Sequence, residues 1–230
     1  MLKCTIRTED FLSRIPLFQP SDTGQLARLA GGTTELEAPR GTILYRRGDT
    51  CSGLYALVYG QAKLSLGTNR GGEMVVELAE GGSTFGEAPL FSSQTHILTA
   101  TSLVDSKLLH IAKETLFAEL ERDAQFARRM IAALSERLYR RYGEFENYVL
   151  ASGTERVIRY LLRGGNGTAH PSAASITLPA SKGVIASRLH LTHEHFSRIL
   201  RELTLQGLIE VQGRQVRILS KERLSEYAVA

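Results

Sequence analysis

The chain has 230 residues, with 28 Lys+Arg against 24 Asp+Glu and two cysteines, a length that predicts more than one domain and a composition that is globular rather than disordered. It holds no apolar run of about 18 residues, and its opening MLKCTIRTEDFL carries acids where an export signal needs an apolar core. Neither a membrane span nor a leader is read, and a cytoplasmic location is expected. Charge is unevenly placed: residues 1–150 carry 17 Lys+Arg and 18 Asp+Glu, net −1, and residues 151–230 carry 11 and 6, net +5. That is the footprint of a basic module that meets a polyanion.

In chain order, Asp10 to Arg28 predicts a short helical stretch broken by Pro16 and Pro20. From about Pro39 to Ile111 the chain reads as short strands, GTILYRRGD, SGLYALVYGQAKLSLG, EMVVELAEGG and HILTATSLVDSKLLHI, punctuated by glycines from Gly41 to Gly82. Dense turns between β-branched and aromatic residues predict a compact antiparallel barrel or roll. Lys113 to Leu150 then contains no proline and predicts one long helix, interrupted only by Gly143. Ile131, Leu138 and Phe145 recur every seven residues, with Leu134 and Tyr148 between them, although Arg141 occupies a position where the repeat wants an apolar residue. Such a seam packs on the chain's own barrel or on a second copy; its length favours a homodimer. Ser152-Gly153 marks the next boundary, so the expected domains are 1–112, 113–150 and 151–230.

The last segment orders its elements tellingly. TERVIRYLLRGG predicts a helix, GNGTAHPSAAS a loop, SITLPA a strand, and SKGVIASRLHL a helix capped by Ser181. In THEHFSRILREL, Thr192 is a good N-cap; Phe196, Ile199, Leu200 and Leu203 form one apolar stripe, and Glu194, Ser197, Arg198 and Arg201 repeat that spacing on the other side. GLIEVQGRQVRIL closes with two strands, Leu208 to Val211 and Gln215 to Leu219, around a Gly-Arg turn. Helix, turn, helix and hairpin make a winged helix-turn-helix, whose second helix enters the major groove of double-stranded DNA. The fold class expected is therefore α+β: an N-terminal antiparallel β-roll, a long dimerisation helix and a C-terminal winged helix-turn-helix. A Glu accepts from cytosine N4, an Arg donates twice to guanine O6 and N7, and a Ser meets a base edge or the thymine methyl. Glu194, Ser197 and Arg198 are the expected base readers, and Lys182, Arg188, Arg201 and Arg214 the expected phosphate contacts. The plainer alternative is a solvated polar face.

RGTILYRRGDTCSGLYALVYGQAKL, FGEAPLF, TERVIRYLL and ASRLHLTHEHFSRILRELTLQGLIEV, in that order, resemble the cyclic AMP receptor protein and FNR superfamily of bacterial transcription regulators over nearly the whole chain. In the FNR-type branch the recognition helix carries Glu, two variable residues, then Ser-Arg, a pattern met by Glu194, Ser197 and Arg198. The resemblance implies a palindrome with TTGAT-like half-sites, a homodimer and RNA polymerase as a partner; His193, before the Glu, is a further candidate base contact or a solvated histidine. It also implies an effector pocket. Family members that bind cyclic AMP hold it in a cassette beginning Gly-Glu, matched by Gly86 and Glu87, and ending Arg-Ser or Arg-Thr, where this chain has Ile97 and Leu98. A buried cyclic phosphate without a cation costs roughly 3 kcal/mol or more, which argues against a cyclic nucleotide. The iron–sulfur cluster of FNR proteins needs four cysteines and finds only Cys4 and Cys51. What remains resembles the DNR-like, nitric-oxide-responsive branch with haem as cofactor, for which His96 and His110 are the candidate ligands, though a histidine in a barrel is more often structural.

Two other classes compete. A cupin-like metal enzyme wants His-x-His on a strand, but His193-Glu194-His195 lies on a predicted helix, where i and i+2 diverge. The HExxH zinc-protease pattern fails because Ser197 stands where its second His belongs. No enzyme is read. A ligand-binding adaptor that docks protein through its C-terminal helix is separated from a DNA binder by salt dependence.

Overall fold

The computed structural model describes residues 7–19, 21–68, 72–92, 94–164 and 175–228. Cys4, Pro20, Gly71, His170, the Tyr148 side chain and most of the expected loop GNGTAHPSAAS lie outside the described residues. The chain divides into two compact units, Met1–Asn69 with Val76–Tyr139, and Arg70–Val75 with Arg140–Ala230.

The first unit opens with α1 (Thr8–Leu12), a 3-10 turn at Pro16–Phe18 and α2 (Thr23–Gly31), which Asp22 caps by accepting from the Gln25 N–H at 2.7 Å. Eight strands follow: β1 (Thr33–Ala38), β2 (Ile43–Tyr45), β3 (Gly53–Tyr59), β4 (Gln61–Gly67), β5 (Glu73–Glu80), β6 (Thr84–Phe85), β7 (Thr99–Ser102) and β8 (Ser106–Ala112). They form two four-stranded sheets, β1-β8-β3-β6 and β2-β7-β4-β5, with antiparallel pairings, the roll expected from the turn density. β1 lies before the Pro39 at which the strand-rich region was expected to begin; its TTELEA buries only Ala38 and lacks an apolar alternation to announce it. Leu57, Leu64, Phe85, Ala100 and Leu108 fill the space between strands with Tyr45 and Tyr55. A second cluster, including Leu12, Phe18, Leu29, Leu54, Ile111, Leu116 and Phe126, seals the roll against its helices.

Gly60 joins β3 to β4 at φ 99°, a left-handed conformation that L side chains rarely adopt. A Cβ there would stand 2.2 Å from Ser106 Oγ, the atom that accepts from the Gln61 N–H. The hairpin is thus built around a missing side chain.

The single helix expected over Lys113 to Leu150 is two, α3 (Lys113–Arg122) and α4 (Ala124–Leu150). Asp123 breaks it at φ −131°, ψ 104°, its carboxylate accepting from the Gln125 N–H at 2.8 Å, because a short acidic side chain satisfies a helix start better than a helix interior. Glu119 of α3, buried, takes two bonds from Arg28 of α2, at 2.5 and 3.0 Å. Arg28, Gln25 and Arg122 together hold its carboxyl below the usual carboxylate range, the Arg28 hydrogen bond foremost.

The seam on α4 also differs from its expected course. Leu134 packs against the core of its own roll, whereas Ile131, Leu138, Tyr142, Phe145 and Val149 are all more than half exposed. From Leu138 the spacing runs four, three, four, so the apolar line passes through Tyr142 and steps around Arg141.

Candidate nucleic-acid interface

The second unit holds α5 (Gly153–Leu162), β9 (Ser175–Thr177), α6 (Lys182–Arg188), α7 (His193–Leu205), β10 (Ile209–Gln212), β11 (Gln215–Ile218) and α8 (Lys221–Tyr227). α5 begins with a full capping box: Ser152 accepts from the Glu155 N–H at 3.2 Å, and Glu155 accepts from the Ser152 N–H at 2.7 Å. Ser181 caps α6 and Thr192 caps α7, as expected. The wing has three strands, order β10-β11-β9, with Val216 opposite both Val211 and Ile176 and the two-residue Gly213-Arg214 turn at its tip. The closing helix α8, with Leu224 fully buried, was not anticipated.

α7 divides as its periodicity demands. Phe196, Ile199, Leu200 and Leu203 are at most 3% exposed, while Glu194, Arg198, Arg201 and His193 are exposed and Ser197 is half-buried. Burying four large apolar side chains, each worth about 1.5–3 kcal/mol, pins which side of the helix faces outward. Glu194 sits in the first turn, where its own backbone N–H and then the Thr192 hydroxyl hold its carboxyl below the usual range. It is an ionised acceptor. Of the expected phosphate contacts, Arg201 lies on α7 and Arg214 at the wing tip, both exposed; Lys182 opens α6 and Arg188 ends it, both half-buried. Arg217 of the wing is paired with Glu210 directly across the hairpin at 2.9 Å, so its charge is already matched.

The α6–α7 turn carries one strained residue. His190 has φ 55°, the one non-glycine residue at positive φ among the described residues, and its side chain is exposed. A β-carbon in this region costs about 1 kcal/mol. His190→Gly relieves that strain but gives up the Nδ1 contact with Met74 Sδ at 3.2 Å and loosens the unfolded chain, so the thermal midpoint is expected to move by no more than about two degrees, as read by differential scanning calorimetry.

In the roll, Gly86 and Glu87 follow β6, Gly86 at φ 90° and Glu87 buried. Burial pushes the Glu87 carboxyl up, against the opposing pull of Arg137. Leu98 packs against the interior of the roll, but Ile97 is 61% exposed and does not line an interior pocket as expected. Neither supplies a cation. The cation beside Glu87 comes instead from α4: Arg137 donates to Glu87 Oε1, to Glu77 Oε1 at 3.3 Å and to the Thr84 carbonyl at 2.5 Å. Sequence reading missed it, since 50 positions separate Arg137 from Glu87 and no motif links them.

His96 and His110 do not form a ready haem seat. His96 is buried with its ring stacked on Tyr45 at 3.7 Å, and His110 is bonded to Ser52 Oγ at 3.1 Å with its ring against Tyr55 at 4.7 Å. Burial lowers both imidazole pKa values, leaving neutral rings. Tyr45, Tyr55 and Phe85 meet at ring centroids of 5.5 to 6.3 Å, so a macrocycle would have to part them. Among the described residues no group of three or more His, Cys, Asp or Glu is placed to hold a metal ion, and no helix is long and apolar enough to cross a membrane.

Residues 35–123 match the model of the cyclic nucleotide-binding domain, and residues 155–227 match that of the Crp-like helix-turn-helix domain. The chain is 22% identical over 222 residues to the CRP-like cAMP-activated global transcriptional regulator of Mycobacterium tuberculosis, covering 96% of this chain and 99% of that one. FixK2 from Bradyrhizobium japonicum superposes with a TM-score of 0.75 at 25% identity, over 86% of this chain and 98% of its own. DNR from Pseudomonas aeruginosa is 30% identical over 95% of this chain and 96% of its own, with a TM-score of 0.52. A roll matching one domain model, a capped winged helix-turn-helix matching the other, and relatives that span both end to end place this chain in the CRP/FNR family of transcriptional regulators.

Proposed function

We propose that the chain is a homodimeric, sequence-specific transcription regulator that reads a TTGAT-like palindrome through Glu194, Ser197 and Arg198 of α7, with His193 beside them, and answers to an effector in the roll other than cyclic AMP. One observation carries the reading: the outward face of α7 presents a carboxylate, a hydroxyl and a guanidinium together, while its other face is buried. A TTGAT half-site contains one G·C pair, and this face holds the two side chains that suit it, Arg198 for guanine O6 and N7 and Glu194 for cytosine N4. Lys182, Arg188, Arg201 and Arg214 serve the phosphates, which set register and affinity. The exposed line on α4 is where the second copy docks, so that two recognition helices reach successive major grooves about 34 Å apart. RNA polymerase as the downstream partner follows from the family resemblance.

Cyclic AMP is disfavoured because the cassette end at Ile97 and Leu98 carries no cation, and the guanidinium of Arg137 is already shared among three acceptors. Haem and nitric oxide, the finer reading drawn from the DNR resemblance, meet histidines that are both engaged; an absorption spectrum after haemin addition decides, a Soret band restoring haem to the account.

Binding to a TTGAT palindrome and to scrambled duplex, titrated against salt, tests the proposal. Four phosphate-facing cations per protomer predict a slope of log K against log salt of roughly −7 for the dimer, with a clear preference for the palindrome. A flat salt response points to the adaptor reading instead, and equal affinity for both duplexes overturns the reading of sequence by α7.

A further inference from the structure

Strand β5 belongs to both compact units. Its first three residues, Glu73–Val75, cluster with Arg140–Ala230, and Val76 onward clusters with the first unit. Those three residues meet one corner of the second unit, the end of α6 and the turn into α7. Ser187 Oγ accepts from the Val75 N–H at 2.8 Å and donates to the Glu73 carbonyl at 3.2 Å, so one hydroxyl fastens the strand on both sides of Met74. Three residues on, His190 brings its Nδ1 to 3.2 Å from Met74 Sδ.

His190 is the residue at φ 55°. A turn between two such helices often carries glycine, which takes this conformation freely, and a side chain held there instead is the kind of strain that gathers at switch regions. The side chain that bears it here is the one that reaches Met74.

The contact is weak enough to open. Two hydrogen bonds and one sulfur contact hold the strand, with Ser187 half-buried and Glu73 exposed, so water can replace each of them. What it covers concerns DNA. Arg188, next to Ser187, is a proposed phosphate contact, and an acid-bearing strand seated on Ser187 disfavours a second anion beside it.

Resting on the DNA-binding reading above, we infer that the start of β5 is an autoinhibitory latch: Glu73–Val75, held by Ser187 and His190 at the α6–α7 corner, occupies the approach of a phosphate to Arg188, and duplex DNA binds only the protein whose latch has opened. The latched form excludes duplex as such, not one sequence. Its release therefore raises affinity for every duplex by one factor and leaves the preference for the palindrome as it is.

The test compares full-length Ser187→Ala, His190→Gly and Met74→Ala with wild-type protein, by fluorescence anisotropy on the palindrome and on scrambled duplex at one low salt concentration. Ser187→Ala, which removes both hydrogen bonds, is expected to tighten both duplexes by roughly three- to tenfold. His190→Gly and Met74→Ala break one weaker contact and should tighten both by less, their double substitution no more than the better single one. Hydrogen exchange at the Val75 amide reads the latch directly: slow in free wild-type protein, it should quicken by at least about tenfold with saturating duplex. Variants that bind no better than wild type overturn the latch; so does a gain confined to the palindrome, or a Val75 amide as protected with duplex as without it. Should wild-type protein and every variant fail to bind either duplex, the DNA-binding reading falls and the latch with it, whereas wild-type binding without a gain in the variants strikes the latch alone.

Discussion

Arg198→Ala is expected to abolish the preference for the palindrome while leaving the dimer and its fold intact. The side chain is exposed, in the second turn of α7, away from the stripe of Phe196, Ile199, Leu200 and Leu203. Truncating it therefore opens no cavity. A bidentate arginine–guanine pair discriminates by about 1–3 kcal/mol, and two half-sites double this to about 2–6 kcal/mol, a loss of at least about 30-fold on the palindrome. Affinity for scrambled duplex should fall far less, because the phosphate contacts persist. Fluorescence anisotropy on both duplexes, beside sedimentation of the free protein, reads the two quantities. Continued discrimination by the variant would show that another face does the reading.

Phe145→Asp is expected to leave a folded monomer that binds DNA weakly. Phe145 is 65% exposed in the isolated chain and stands on one line with Leu138, Tyr142 and Val149. In the proposed dimer, a carboxylate there would meet its own symmetry mate across a two-fold seam, unpaired in an apolar setting. Each protomer then engages its half-site alone, without the local concentration its partner provides, and affinity for the palindrome drops by about 100-fold or more. Light scattering gives the mass, and circular dichroism should show unchanged helix content. Leu134→Ala is the informative contrast. Leu134 packs against the core of its own roll, so its truncation should lower stability and leave the dimer in place.

The amphipathic elements were legible in the residues themselves, for a local reason. The stripe on α7, the caps Ser181 and Thr192, the glycine-marked turns of the roll and the two-residue wing turn each depend on side chains within a few positions of one another, which is the range over which helix and strand periods act. The outward face of α7 was legible too, since burying one side of a helix leaves no choice about the other. β1 was not, because TTELEA carries no apolar alternation and becomes a strand by pairing with β8 across more than 60 positions, Ala38 opposite Ser106 at one end.

The tertiary structure alone decided whatever joins distant segments. Ile97 and Leu98 are neighbours of one chemical type, yet the first faces solvent and the second the core. Asp123, which divides the long helix, also accepts from Gln25 of α2 at 3.1 Å, a contact between residues 98 positions apart. The family pattern directs attention to positions 97 and 98 for a charge, whereas the charge that meets Glu87 is Arg137, 50 positions further along the chain. A charge is supplied by whichever residue the fold brings within a few ångströms, and that distance through space has no counterpart in spacing along the chain.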